Sequence, residues 1–575
     1  MTEENRANRE QRQAIGYIIG GGLKANLFVR LDVPAQSVQE GGFVVIESGE
    51  WLFYGLVTDL QLGALDPRYA EGIVYRQLSP HIAAQLRSQT LFTNLEVLPA
   101  LMLERGPELD APDYPNWRRE HPEDPRPLPI KTVPAHHARA FLASAGDVAE
   151  IFGSPNDPAY FEIGRTREQN HPVCINLDKF VQRSSGIFGA TGTGKSFLTR
   201  ILLAGLIHRN QASILVLDMH NEYGYDDVSS DTGKAVSGLK TKFGSAVQVV
   251  GLGRSSSIRG KTPDFHLEFL ESEILPQDIE LLSGELNLRD TTPTTLDALI
   301  HSFGPEHWFS EFKAMTVGKL VDNEEGKKVP APDSVAFWAN EAGVNVAAAE
   351  GLRSKLTRVF NRPYIIESSN ENAATHSLKK IIEALQNGRH VILSFGDYET
   401  DLDYLLVANL LTRKIRQAWE EQTNAFRSHG TNEPRPLVIA VEEAHKLLNR
   451  EMAAQTSFSA IAREMRKYYV TLLIIDQRPS QIYDEVMSQL GTRVSGWLGD
   501  EADIAAVLSG LSGRDALRGM LARLQPKEEV LLLGWGVPMP ILVRSRRYSP
   551  EFWKELLGRD SAARSAEQSL KELGF

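Results

Sequence analysis

The sequence predicts an α/β protein: a parallel-rich sheet flanked by helices, preceded by a small β-barrel and interrupted by a helical insertion. Three observations carry this prediction. From Ser184 onward, apolar runs alternate with stretches of helical periodicity, as chained strand–helix–strand units do. Residues 13 to about 60 instead hold short strands broken by glycine at close spacing, which is a barrel pattern. A glycine-rich loop, Gly189–Ser196, lies between a short apolar run and a helical stretch.

The chain has 575 residues, enough for two to four domains. Its 42% hydrophobic and 24% charged residues are ordinary for a globular protein. The first residues are polar, with no apolar signal region, and no apolar run is long enough to span a bilayer. A cytoplasmic protein without a membrane partner is the expectation. The single cysteine, Cys174, excludes an internal disulfide and any multi-thiolate zinc site within one chain. The formal charge of −12 argues against a surface that is basic all over. It does not exclude nucleic acid, because a ring can keep an acidic exterior around a few channel cations.

In chain order, residues 1–12 form a polar segment and 13–180 a barrel domain. Its strands are Ala14–Ile19, Asn26–Leu31, Gly42–Ile46 and Trp51–Val57. Eight prolines between Arg105 and Pro134 suggest an extended excursion without regular helix. A helix is expected over Ala135–Ala143, after which Tyr160–Gly164 and Val173–Leu177 would complete the barrel. Residues 181–261 open the α/β core, 262–375 read as a mostly helical insertion, and 376–548 resume the core. Core strands are expected at Ser213–Asp218, His390–Phe395, Leu437–Val441 and Val470–Asp476, each a nearly continuous apolar run suited to a sheet covered on both faces. Leu402–Phe426 reads as a long amphipathic helix. Val530–Trp535 and Pro540–Arg544 suggest an antiparallel pair, and 549–575 a helical tail.

The loop Gly189-Ala190-Thr191-Gly192-Thr193-Gly194-Lys195-Ser196 is a complete phosphate-binding motif. Its glycines let backbone N–H groups turn inward around phosphate oxygens, and the helix opening at Phe197 points its positive end at the same anion. Lys195 would reach the β- and γ-phosphates, and the Ser196 hydroxyl would ligate Mg²⁺. ATP with Mg²⁺ is therefore the expected cofactor pair. A strand ending in Glu442-Glu443 is the second anchor. Parallel strands deliver their carboxyl ends to the edge that carries the phosphate loop. Glu442 would hold Mg²⁺, largely through water, and Glu443 would polarise the attacking water. At the end of the neighbouring strand, Gln477 is a candidate contact to the γ-phosphate or the water. Arg463 and Arg466, three apart on one helix face, are candidates for an arginine supplied across a subunit boundary.

Other features carry less. Asp218–Tyr223 ends a strand at the nucleotide edge and reads as support for the site. Its His220-x-Glu222 pair cannot belong to a zinc deaminase, which needs a Cys-x-x-Cys. Leu282–Glu285 and Leu508–Gly510 resemble transporter-ATPase signatures but stand at the wrong distances from the second anchor. Arg254, Arg259 and Lys261 lie in a Gly/Ser-rich loop that would face DNA in a channel, or simply solvent.

With these pieces in order, the chain resembles the HerA family within the HerA/FtsK group of ring motors, with a RecA-like P-loop core. The resemblance runs from Ile15-Gly16-Tyr17-Ile18 through the phosphate loop to Val441-Glu442-Glu443-Ala444-His445, Arg463-Glu464-Met465-Arg466-Lys467-Tyr468 and Gln477-Arg478-Pro479-Ser480. It implies a homo-hexamer that threads duplex DNA through a central channel, driven by ATP bound between neighbours. Arg466 or Arg463 would be the trans-acting finger, and Arg183 a further phosphate-facing arginine. It also implies a partner effector docked on the barrel face, either a NurA-like nuclease or, in a bacterial antiphage complex, a sirtuin-like NAD-consuming enzyme or another nuclease. Two positions depart from the family: Tyr469 stands for a small residue, and Asp476 for the usual Thr or Ser. A nucleotide-gated scaffold that activates a partner without moving DNA is the alternative. A protein-remodelling ATPase is disfavoured, since no substrate-binding domain is apparent.

Overall fold

The structure, a computed structural model, describes residues 12–558 except 24, 73, 108–110, 122–125, 229–232, 234, 255–256, 323–326, 368–370, 431, 453–456 and 512. The polar N-terminal segment up to residue 11 and the tail from 559 lie outside the described residues. The chain divides into two compact units. One takes in the residues up to Gly205 with Gln477–Ser480 and Leu490–Tyr548; the other takes in Leu206–Asp476, Gln481–Gln489 and the residues from Ser549.

The first unit opens with the barrel. Its strands are β1 (Ala14–Gly22), β2 (Ala25–Leu31), β3 (Phe43–Ser48), β4 (Trp51–Ala64), β5 (Leu91–Glu104), β6 (Leu128–Pro129) and β7 (Arg139–Leu142). The order β2-β1-β7-β3-β4-β5 closes through antiparallel β2–β5 pairing, from Leu27 opposite Val97 to Arg30 opposite Asn94. Ile15, Val29, Val44, Phe53, Val57, Leu95 and Leu142 fill the interior. Gly16 is required by close approach, because a Cβ there would lie 1.9 Å from the Arg30 carbonyl oxygen.

Three expectations for this region are corrected. Ala135–Ala143 does not form a helix. Within it β7 pairs with both β1 and β3, burying Ala140 and Leu142 in alternation. The helix begins later, at Ala145–Phe152, where Ser144 and Asp147 form a capping box. Tyr160–Thr166 (β8) and Pro172–Asn176 (β9) do not complete the barrel; they pair with each other, and β8 pairs with Ile541–Ser545. The proline-rich excursion contains a helix, Tyr114–Glu120, because Pro115 occupies its first turn, where a missing N–H costs nothing. Pro122 and Pro125 lie outside the described residues.

Asp147 also anchors Arg12. The guanidinium donates to both carboxylate oxygens, Nη2 at 2.5 Å and Nε at 2.9 Å, and pairs with Glu47 as well. Burial alone would push the Asp147 carboxyl up, but Arg12 and Ser144 outweigh it and hold it below the ordinary carboxylate range. Removing one partner of a buried pair typically costs about 3–5 kcal/mol. Arg12→Ala is therefore expected to destabilise the barrel by about that much in denaturant unfolding. A carboxylate with a depressed folded pKa stabilises above its unfolded value, near ~3.9, and loses that contribution as the pH falls through the folded one. The gap between parent and variant should accordingly close in acid.

The rest of the first unit is a mixed sheet in the order β10 (Ser185–Phe188), Thr492–Ser495, Glu529–Gly534, Ile541–Ser545, β8, β9. The first pair is parallel and the others are antiparallel. The second unit is built on six strands, all parallel, in the order Phe265–Leu267, Val247–Leu252, His390–Ser394, β11 (Ser213–Asp218), Leu437–Glu442, Val470–Asp476. Four neighbouring strands finish at one edge in Ser394, Asp218, Glu442 and Asp476, all buried. The helix Asp401–His429 is capped by the Thr400 side chain and stopped by Gly430 at φ 63°. It holds the insertion through Asp278, which accepts from Asn409 and Arg413 at 2.8 Å each. The insertion is mostly helical, around an aromatic core of Trp308, Phe309, Phe312 and Phe360. No helix of the described residues is long and apolar enough to cross a membrane.

Candidate active site

The phosphate loop follows β10 and leads directly into the helix Lys195–Arg209. Gly192 and Gly194 take φ of 76° and 89°, the left-handed region where a side chain would be strained. Gly189 has a second reason, since a Cβ would lie 2.7 Å from Thr193 Oγ1. The loop is tied down on three sides: Ala190 N–H donates to the Trp497 carbonyl at 3.0 Å, Thr193 Oγ1 to the Ala190 carbonyl at 2.7 Å, and Lys527 N–H to the Thr193 carbonyl at 3.1 Å. Lys195 and Ser196 are half-buried in the first turn. Phe197, next along, packs its ring 6.2 Å from that of Tyr548, with the Arg200 guanidinium 5.6 Å from it.

Gln477 lies beside this loop. Its Oε1 accepts from Thr191 Oγ1 at 2.5 Å, although 286 residues separate them. Arg183 is placed differently. It precedes β10, at the end of the strand away from the loop, and its guanidinium stacks 4.3 Å from the Trp535 ring centroid. Its Nε is buried without a hydrogen-bond partner among the described residues.

In the second unit, the strand Leu437–Glu442 is wholly buried and delivers the two acids. Glu442 is held at both ends: Tyr223 donates its hydroxyl to Oε1 at 2.6 Å, and Tyr404 donates to the main-chain carbonyl at 2.6 Å. Burial, reinforced by Glu442, pushes both phenols well above their ordinary value, so they stay donors. Glu443 adopts φ 45°, an uncommon conformation for a side-chain-bearing residue and one that concentrates at functional sites. His445 lies beside it, with Nδ1 3.7 Å from Glu443 Oε2. Asp476 fixes the imidazole, accepting from the His445 main-chain N–H at 2.7 Å and lying 3.0 Å from Nδ1. That hydrogen bond raises the His445 pKa against the opposing effect of burial. Asp476 thus has a definite task here, one that a Thr or Ser could not perform with charge.

Arg463 and Arg466 do not share one regular helix. The helix Ser457–Glu464 ends between them, and Met465–Tyr468 tightens into a 3₁₀ turn. Arg463 makes a loose, exposed contact to Glu485 at 3.4 Å. Arg466 is exposed and makes no ion pair among the described residues. Tyr469 sits at φ 63°, which is the physical reason a small residue suits that place. The three loop cations are all engaged: Arg254 with Glu268 at 3.0 Å, Arg259 with Asp227, and Lys261 over the Tyr225 ring at 5.2 Å.

A family model described as the central domain of the helicase HerA matches residues 161–415. The DNA double-strand break repair helicase HerA of Sulfolobus acidocaldarius is 22% identical over 543 residues, covering 93% of each chain. The chain is thus similar to HerA helicases, through its central part and along nearly its whole length. The HerA of Pyrococcus furiosus, under the same description, is 23% identical over 450 residues, covering 74% of this chain and 75% of that protein. Among solved structures, the bacterial conjugative coupling protein TrwB is similar with a TM-score of 0.42 and 12% identity, over 70% of this chain and 92% of that one. Tyr404 and Trp535 are not readable as site residues in the sequence, and Asp218–Tyr223 reads only as support for the site, with nothing that points to the Tyr223 hydroxyl. Each acts through a partner far away in sequence, and a buried tyrosine or a half-exposed tryptophan carries no local signal of that.

Proposed function

We propose that the chain is an ATP-driven translocase of duplex DNA, working as a homo-hexamer. The observation that supports this most is an intact phosphate loop followed by the Glu442–Glu443 strand end, in a chain that aligns with a HerA repair helicase over 93% of both lengths. In this reading Gly189–Phe197 hold ATP, with Lys195 on the β- and γ-phosphates. The Ser196 hydroxyl and the Glu442 carboxylate would hold Mg²⁺; an all-oxygen donor set suits that hard cation. When bound, Mg²⁺ neutralises charge on the transferring phosphoryl group. Glu443 takes the proton of the attacking water, Gln477 orients that water or the γ-phosphate, and Arg466 reaches the nucleotide of the neighbouring subunit. Arg183, at the strand end away from its own phosphate loop, would serve only a nucleotide held by another subunit.

The same reading assigns a partner effector, a nuclease or NAD-consuming enzyme of an antiphage complex, to the barrel face. Support comes from β4 and β5, which run on as a ribbon past the barrel to Ala64 and Leu91 and leave Leu62 86% and Leu65 70% exposed. The test is ATP turnover with and without linear duplex DNA, over a range of salt. Duplex DNA is expected to raise the rate in the parent, steeply less so as salt rises, and to leave Lys195→Ala inactive. A rate indifferent to DNA, in a ring that the effector still needs, would identify the scaffold instead.

A further inference from the structure

We propose that Tyr223 is the positioning residue of the metal-holding acid: its hydroxyl fixes the Glu442 carboxylate in one orientation before any cation arrives. This rests on the reading of Glu442 as the acid that holds Mg²⁺.

The segment after β11 is folded so that Tyr223 can be nowhere else. The buried Asp218 carboxylate accepts the main-chain N–H groups of Glu222 at 2.8 Å and Tyr223 at 2.9 Å, turning the chain back over the strand end. Asn221, left-handed at φ 55°, pins that turn to the next strand: its Oδ1 accepts from the Ser394 hydroxyl and from Gly396 N–H at 3.1 Å. The Tyr223 ring is fully buried, and its hydroxyl meets one oxygen of Glu442 across 219 residues of sequence.

The chemistry of that contact is selective. A glutamate has one more rotatable bond than an aspartate, and ordering it has an entropic cost. A hydrogen bond to one oxygen, together with the Tyr404 bond to the main chain, removes that freedom before any cation arrives. A neutral phenol does this without cancelling the negative charge, which a lysine or arginine at the same place would do. It occupies one carboxylate oxygen and leaves the acid its charge for a cation or its water shell.

Tyr223→Phe removes the hydroxyl and keeps the ring. The experiment measures equilibrium binding of a fluorescent ATP analogue to the full-length protein as Mg²⁺ is titrated, with thermal unfolding alongside. The Mg²⁺ concentration at half-saturation should rise about tenfold, as expected for losing a hydrogen bond to a charged group, while metal-free nucleotide binding stays unchanged. Glu442→Ala should raise it at least as far, and adding Tyr223→Phe to Glu442→Ala should change nothing further. If Glu442→Ala leaves the Mg²⁺ dependence intact, the underlying reading of Glu442 fails. If Glu442→Ala shifts it and Tyr223→Phe does not, or the two shifts multiply in the double variant, the proposal for Tyr223 is overturned. Should Tyr223→Phe not fold, Glu442→Asp, too short to meet the hydroxyl, must show the same rise; an unchanged dependence there overturns the proposal equally.

Discussion

Glu443→Gln is expected to lower ATP hydrolysis by about 10²–10⁴-fold, the usual contribution of a general base, while ATP binding persists. The amide keeps the size and hydrogen-bonding shape of the side chain but cannot take a proton. The backbone should survive the change, because what holds Glu443 at φ 45° lies around it rather than in its carboxylate. Lys446 N–H donates to the Glu443 carbonyl at 2.9 Å, and Asp476 pins His445 two residues on. Turnover assays paired with nucleotide-binding titrations separate the two effects. A variant still hydrolysing within tenfold of the parent would remove Glu443 from this role.

The second large effect is expected at Arg466. Arg466→Ala should bind ATP normally and hydrolyse it about 10³–10⁵-fold more slowly, the range for an arginine that stabilises transition-state charge. Arg463→Ala should cost far less. Arg463 spends its charge on an exposed contact to Glu485, of a kind worth little, whereas Arg466 projects into solvent with no ion pair among the described residues. Mixing subunits decides where Arg466 works. Arg466→Ala protomers have an intact phosphate loop, and Lys195→Ala protomers have an intact arginine. A mixed ring should recover part of the lost turnover if the arginine crosses a boundary; no recovery would place it in its own subunit's site.

What was legible in the sequence follows from how local each determinant is. The phosphate loop and the paired acids each lie within one short stretch whose residue types have few other uses. The parallel strands Ser213–Asp218, Leu437–Glu442 and Val470–Asp476 were equally plain, since strands buried on both faces are nearly all apolar. The barrel closure was not. Arg139–Leu142 lies among alanines that favour helix, and only its pairing with β1 and β3 overrides that preference. The helix Tyr114–Glu120 was hidden because proline density masks the one position where proline assists. At the site, Gln477 reads as a candidate from its place at a strand end, but its bond to Thr191 spans 286 residues and has no sequence signature. The same holds for Tyr404, one tyrosine in a 29-residue helix until its hydroxyl is seen on the Glu442 carbonyl.

The ribbon of β4 and β5 has a bearing on how the cell must handle this protein. Leucines left bare on a two-stranded extension are adhesive towards one another as well as towards any intended occupant. Copies in which that strip stays uncovered would clump, so the solubility of this protein should fall as its concentration rises.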